Sequence, residues 1–196
     1  MEGENMDQKS EELEIDIIVA QIKDGNKEAF RALVCEYQRK IHVYSYHMLR
    51  NKEEAEDAVQ EIFLKCYQNI HQYSQGTSFS GWLYTVAYNH CINLLKKRSL
   101  RHKLIALYRT QLAQAKQEVD YASLSIQDVL GLLSAEDRNL LVLRVWEDLS
   151  FDEISRIMNC KPTTVRKRFE RIRKKLKMKM IQLEESPNVP KTAFRR

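Results

Sequence analysis

The sequence predicts an all-α protein: two small helical domains joined by a linker, the second a helix-turn-helix. Three observations carry this. Gly and Pro are scarce, 5 and 3 in 196 residues, which disfavours turn-rich β structure. Apolar residues recur at three- and four-residue steps through most of the chain, the period of a helix buried along one face. That stripe fades over residues 100–125 and resumes at Ile126, dividing the chain in two. The expected organisation is an acidic N-terminal extension at 1–14, a first domain at 15–98, a linker at 99–125, a second domain at 126–180 and a disordered tail at 181–196.

The elements follow in order. A short helix is expected around Ile15–Ile22. Asp24-Gly25 breaks the chain and Asn26 caps a long helix, on which Phe30, Leu33, Tyr37, Ile41, Tyr44 and Met48 share one face. A second helix runs from about Lys52 to Gln72, and the loop HQYSQGTS follows it. Ser78 or Ser80 then opens a helix through FSGWLYTVAYNHCINLLKKR. Residues 100–125 read as a linker, partly helical, or as an exposed helix joined to its neighbour; periodicity does not separate the two. Ser134 caps AEDRNLLVLRVWED, whose Glu136 and Asp137 suit the positive end of the helix dipole. Ser150 and Glu153 form a capping box ahead of FDEISRIMN, and Pro162 ends that helix. Thr163 or Thr164 caps the long basic helix TVRKRFERIRKKLKMKM, and the tail EESPNVPKTAFRR carries no pattern.

Composition excludes several classes. Net charge is only +5, so the distribution of charge matters more than its sum. Cys35, Cys66, Cys91 and Cys160 form no C-x-x-C pair and read as buried free thiols of a reducing compartment. The acidic N-terminus lacks the basic and apolar regions of a signal peptide, and no run is long and apolar enough to span a membrane. The expected location is the cytoplasm. No H-E-x-x-H, Glu-x-x-His, phosphate loop or nucleophile elbow occurs, and the five His are scattered. No catalytic residues, metal or cofactor are expected.

The basic C-terminal helix has a definable face. Val165, Phe169, Ile172 and Leu176 step by four, three and four and form the core stripe. Arg166, Lys167, Glu170 and Arg171 fall off it, near the helix N-terminus from which bases are usually reached. Arg can bond guanine bidentately in the major groove and Lys can neutralise phosphate. Taken alone, such a helix is equally a solvated basic face.

The segments AEDAVQEIFLKCY and FSGWLYTVAYNHCINLLKKR together resemble region two of the extracytoplasmic-function (ECF) sigma factors of bacterial RNA polymerase. LLVLRVWEDLSFDEISRIMNCKPTTVRKRFERIRKKL is similar to region four of that family. The resemblance covers about residues 15–98 and 126–178 in the family's order. It implies a dissociable promoter-specificity subunit that directs transcription initiation. Region two would bind core RNA polymerase at the clamp of its largest subunit and melt the −10 element; region four would read the −35 element through Arg166, Lys167, Glu170 and Arg171. An anti-sigma partner is also implied. The chain departs from the family pattern at Leu133-Ser134, where a Leu-Pro is usual, and in the recognition helix, where Lys167 and Ile172 replace a usual Ser and Ala.

The residues support the resemblance independently. Ala55, Val59, Ile62 and Cys66 share the inner face of their helix, while Glu53, Asp57, Gln60, Glu61 and Leu64 cluster outside. Dipole complementation accounts for Glu53, Glu54 and Glu56 in the first turn, but not for Asp57, Gln60, Glu61 and Leu64 beyond it. An apolar side chain set among carboxylates suits a basic protein surface and repels DNA. On the next helix Trp82, Val86, Asn89, Asn93 and Lys96 form one line and Leu83, Ala87, His90 and Leu94 another, taken as core. Aromatic, amide and amine groups in a line can stack on a base, bond its edge and hold phosphate. By the resemblance, Asn89 and the loop His71–Ser80 form a pocket for a flipped −10 base, with Tyr73 where the family usually has an aromatic residue. The expected −10 DNA set is therefore Tyr73, Trp82, Asn89, Asn93 and Lys96, with Trp82 equally readable as core. The competing reading is a free-standing helix-turn-helix transcriptional regulator, which leaves the acidic ridge and the Trp82 line without a role.

Overall fold

The computed structural model describes residues 2–108 and 125–184. Its helices are α1 (Glu2–Lys23), α2 (Lys27–Leu49), α3 (Lys52–Gln68), a single 3₁₀ turn (Ile70–Gln72), α4 (Phe79–Tyr108), α5 (Ile126–Gly131), α6 (Ala135–Val145), α7 (Phe151–Ile157) and α8 (Pro162–Glu184). No strand occurs among the described residues.

The helix starts follow local chemistry. The Asn26 side chain accepts from the Glu28 and Ala29 N–H groups, and Asn51 from that of Glu54. Ser125 with Asp128, and Ser150 with Glu153, make reciprocal capping boxes. Ser78 Oγ accepts from Gly81 N–H at the start of α4. The start of α8 differs from expectation. The helix opens on Pro162, and the Lys161 carbonyl accepts from the Thr164 and Val165 N–H groups, so Thr163 and Thr164 lie inside the first turn. Proline suits that first position because its missing N–H would have no intrahelical partner there.

Three boundaries lie further out than the hydrophobic stripe suggested. α1 begins at Glu2, so the helix expected near Ile15 takes in the acidic extension. α4 runs to Tyr108, into the expected linker, and α8 runs to Glu184, into the expected tail. Loss of the stripe removes burial without removing helix propensity: SLRHKLIALY is rich in Leu, Lys, Arg and Ala and has no Gly or Pro to stop it. The rest of the linker, 109–124, and of the tail, 185–196, lie outside the described residues.

α2 is the central helix. Leu33, Tyr37, Ile41, Tyr44 and Met48 are buried on it, as expected, against Ile62 and Cys66 of α3 and Phe79, Leu83 and Ala87 of α4. Aromatic rings close the other end of this core, with Phe79 at 5.4 Å from Tyr37 and 5.5 Å from Tyr73. Cys66 and Cys91 are fully buried, and burial pushes both thiols up to about 12, which leaves them unreactive. Cys35 is exposed instead, because it lies two residues past Leu33 and so points away from the stripe.

The C-terminal unit docks on the same helix. The buried Tyr44 hydroxyl donates to Asn139 Oδ1 at 2.6 Å. Arg138 is 8% exposed; its guanidinium donates to the carbonyls of Met48 on α2 and Leu130 on α5. No carboxylate pairs with it among the described residues. Burial, with Arg50 and Arg98 nearby, pushes it down to about 10, still charged at neutral pH. His47 stacks on Trp146 at 4.6 Å, and Gln127 Nε2 lies 3.1 Å from His47 Nδ1.

Two histidines make this packing sensitive to acid. Lys65 Nζ lies 2.6 Å from His90 Nδ1; an ammonium only donates, so the ring accepts and is neutral. Burial first, then Lys65, lowers His90, and burial lowers His47. Both folded values fall below the ordinary 6.5, so the unfolded chain takes up more protons as pH falls. Stability is therefore intact above about pH 6.5 and declines as pH drops through that value toward the folded ones. Urea midpoints should fall between pH 7.5 and 5.5, and His47→Asn with His90→Asn should flatten the profile; an equally steep profile in the double variant would refute the assignment.

Candidate protein and nucleic-acid interfaces

α3 is buried on one side and acidic on the other. Ala55, Ala58, Ile62, Phe63 and Cys66 form its inner face, with Val59 half-buried. Asp57, Gln60, Glu61 and Leu64 follow at three- and four-residue steps on the outer face, and all are exposed, Leu64 by 50%. The neighbouring carboxylates are engaged: Glu54 faces Arg98 at 3.6 Å and Glu56 faces Lys52 at 3.9 Å. Asp57 and Glu61 carry no ion pair among the described residues. The outer stripe is thus a negative ridge with one apolar side chain in it, available to a cationic surface.

The line on α4 divides along its length. Asn89, Asn93 and Lys96 are exposed, while Leu83, Ala87 and His90 are buried as expected. Trp82 is half-buried. Its ring packs at 5.9 Å from Tyr73 and 5.7 Å from Phe79, and it also lines a cleft with Thr85 of α4 and Glu153, Arg156 and Ile157 of α7. It belongs to the core and to a surface at once.

Tyr73 is placed differently from expectation. It is 3% exposed, so its ring is not presented for stacking on a base. Its hydroxyl points inward to Asp16 Oδ1 at 2.8 Å and the Thr77 carbonyl at 2.5 Å. The physical reason is the aromatic cluster with Phe79 and Trp82, which buries the ring, together with a carboxylate from α1 that satisfies its hydroxyl. Asp16 was not singled out by any motif. The contact spans 57 residues of sequence and leaves no periodic signal.

α8 shows the division expected of it. Val165 and Ile172 are buried, and Phe169 packs on Phe151 of α7 at 5.4 Å. The turn before it contains Asn159 at φ 48, the left-handed conformation in which Asn is tolerated, and Cys160 N–H closes it on the Ser155 carbonyl at 2.9 Å. Arg166, Lys167, Glu170 and Arg171 are exposed and line a shallow groove with Thr164 and Lys174. Asp152 of α7 lies 3.5 Å from Arg166, and Arg173 lies 3.4 Å from Glu170. Lys175 donates to the Leu132 carbonyl at 2.6 Å and ties α8 to the end of α5.

Comparison with known proteins agrees with this geometry. Residues 33–101 match the model of Sigma-70 region 2, and residues 123–176 match that of Sigma-70 region 4. The chain is 31% identical to the ECF RNA polymerase sigma factor SigW of Bacillus subtilis, over 84% of this chain and 96% of that one. It is 28% identical to the ECF RNA polymerase sigma-E factor of Escherichia coli K12, over 89% and 98%. Two solved structures share the fold: CnrH in complex with the cytosolic domain of CnrY (TM-score 0.66, 21% identity, 87% of this chain and 98% of that one), and the sigma factor RpoE in complex with the anti-sigma factor NepR from Bartonella quintana (TM-score 0.62, 22%, 78% and 96%). Two helical units in this order, both family matches and a relative 31% identical across most of its length place the chain in the ECF subfamily of RNA polymerase sigma factors.

Proposed function

We propose that this sigma factor divides its work between the two faces described. The ridge of Asp57, Gln60, Glu61 and Leu64 docks on a basic surface of core polymerase, at the clamp of the largest subunit. Trp82, Asn89, Asn93 and Lys96 engage the separated −10 strand, and Arg166, Lys167, Glu170 and Arg171 read the −35 duplex. The single observation that carries this reading is the segregation of charge. Among the described residues Asp57 and Glu61 stand exposed without ion pairs on α3, while an exposed cationic face lies on α8. DNA is repelled by the first and attracted by the second. The chain supplies recognition and no bond chemistry of its own, and it works in the cytoplasm, where polymerase and promoter meet. Transcription by core polymerase on a promoter library tests the whole reading; the expected output is a −35/−10 consensus.

Two variants resolve the faces. Asp57→Lys with Glu61→Lys should abolish holoenzyme assembly while the melting temperature stays within a few degrees; undiminished assembly would remove the ridge from the interface. Asn89→Ala should lower selectivity at one −10 position by roughly tenfold, the scale of about 1–3 kcal/mol for a good base contact. Core affinity should stay unchanged in that variant, and an unaltered −10 profile would count against Asn89.

The two units must also separate on the promoter. The −35 and −10 elements lie about 25 base pairs apart, roughly 85 Å at 3.4 Å per pair. A compact chain of this length has a radius of gyration of only about 16 Å. The Tyr44–Asn139 and Arg138–Met48 contacts hold the units together, and α7 faces the Trp82 end of the −10 line. The packed form is thus a state that an anti-sigma protein would retain and core polymerase would open. Fluorophores on the exposed Cys35 and on Lys161→Cys should lose energy transfer when core is added; unchanged transfer would show that the units stay packed.

A further inference from the structure

The loop between the 3₁₀ turn and α4 is held by a helix outside both family matches. Matching begins at residue 33, whereas α1 ends at Lys23. From α1, both oxygens of the Asp16 carboxylate reach the loop. Oδ1 lies 2.8 Å from the Tyr73 hydroxyl, and Oδ2 accepts from the Gly76 N–H at 2.8 Å. About two turns further on, Lys23 Nζ donates to the Tyr73 carbonyl at 2.8 Å. The one proton of the Tyr73 hydroxyl serves two acceptors, Asp16 and the Thr77 carbonyl, and the Thr77 hydroxyl donates to the Ser74 carbonyl at 2.6 Å.

Ser74, Gln75 and Thr77 are exposed, and Thr77 lines one cleft with the half-buried Trp82. Gly76 sits at φ +77, a left-handed conformation that a bond to its N–H helps to select, and a Cβ there would meet nothing within 4 Å. The loop is therefore fixed by hydrogen bonds rather than by packing at Gly76, and the carboxylate is the group that joins its two ends, Tyr73 and Gly76.

We propose that Asp16, with Lys23, is a positioning residue for −10 recognition: α1 holds the loop 73–77 in one conformation beside Trp82, at the start of the α4 line, so that the −10 strand meets a preformed surface. The proposal rests on the assignment of the α4 line to −10 DNA. A recognition surface populated only part of the time binds in proportion to that population. Freeing the loop thus lowers discrimination at the base it faces while leaving the α3 ridge and α8 as they were. Asp16→Asn keeps the size of the side chain and can keep both contacts, its Oδ1 accepting from the Gly76 N–H and its Nδ2 donating to the Tyr73 hydroxyl, but only as neutral hydrogen bonds, weaker than those to a carboxylate.

The test uses holoenzyme made from core polymerase and the full chain, with single-stranded oligonucleotides carrying the selected −10 element or single-base variants of it. The ratio of matched to mismatched binding is read for wild type, Asp16→Ala and Asp16→Asn. Asp16→Ala should lower the ratio about tenfold at one −10 position, as when the competent loop falls to roughly a tenth of the population. Asp16→Asn should fall between it and wild type. Core affinity and −35 duplex binding should stay within about twofold of wild type, a separation that a merely structural role would not produce. Equal ratios in all three proteins would overturn the clamp while leaving the −10 assignment standing. Parallel loss of core affinity in both variants would also overturn it, by showing a general folding defect. A wild-type holoenzyme that makes no distinction among the oligonucleotides would instead sink the −10 assignment, and the clamp with it.

Discussion

The C-terminal end of α2 is where the molecule is joined, and a buried guanidinium joins it. Arg138 donates to the Met48 carbonyl, one of the acceptors that a helix end leaves without an intrahelical partner, and to the Leu130 carbonyl. A cation there is also favoured by the helix dipole. Arg98 approaches the Leu49 carbonyl from α4 at 3.5 Å and faces Glu54 on α3. Arg50 takes the left-handed conformation that turns the chain into α3. The packing of four helices meets at this corner. α3 folds back on α2, α4 crosses both, and the C-terminal unit seats α6 against them. The arrangement uses carbonyls rather than carboxylates to satisfy a buried charge, so the seal can be broken without stranding a buried anion.

That choice suits the opening proposed above. An interface of polar contacts around Tyr44, Asn139 and Arg138 gives up less when wetted than an apolar one, because each group finds water on separation. The packed state leaves the α3 ridge and Arg166, Lys167, Glu170 and Arg171 of α8 exposed, while α7 faces Trp82. In the proposed reading, polymerase and −35 duplex have surfaces to meet first, and Trp82 is uncovered only when the units part.

In the proposed −35 reading, the Arg166 side chain is prepared for recognition within the C-terminal unit. Asp152 holds it from α7, and the capping box of Ser150 and Glu153 fixes the start of that helix. Both exposed ion pairs on α8 are worth little to stability. Their effect is to restrict where Arg166 and Glu170 point, which lowers the conformational cost of meeting a base edge.

Much of the fold was legible because helices and caps are local. Asn26, Ser134 and the Ser150–Glu153 pair declare their helices within three residues, and the three–four spacing of Val165, Phe169, Ile172 and Leu176 names the buried side of α8. The outward set of Asp57, Gln60, Glu61 and Leu64 was readable for the same reason, since one helix fixes which residues share a face. Helix ends without a breaker were not readable: α4 and α8 continue past the point where the stripe stops, because propensity persists after burial ends. What only the tertiary structure decided lies between segments far apart in sequence. Tyr73 turns inward because Phe79 and Trp82 enclose its ring and Asp16 receives its hydroxyl, and Arg138 becomes a buried seal because α2 ends beside it. Such contacts depend on how helices are brought together, which no local period records.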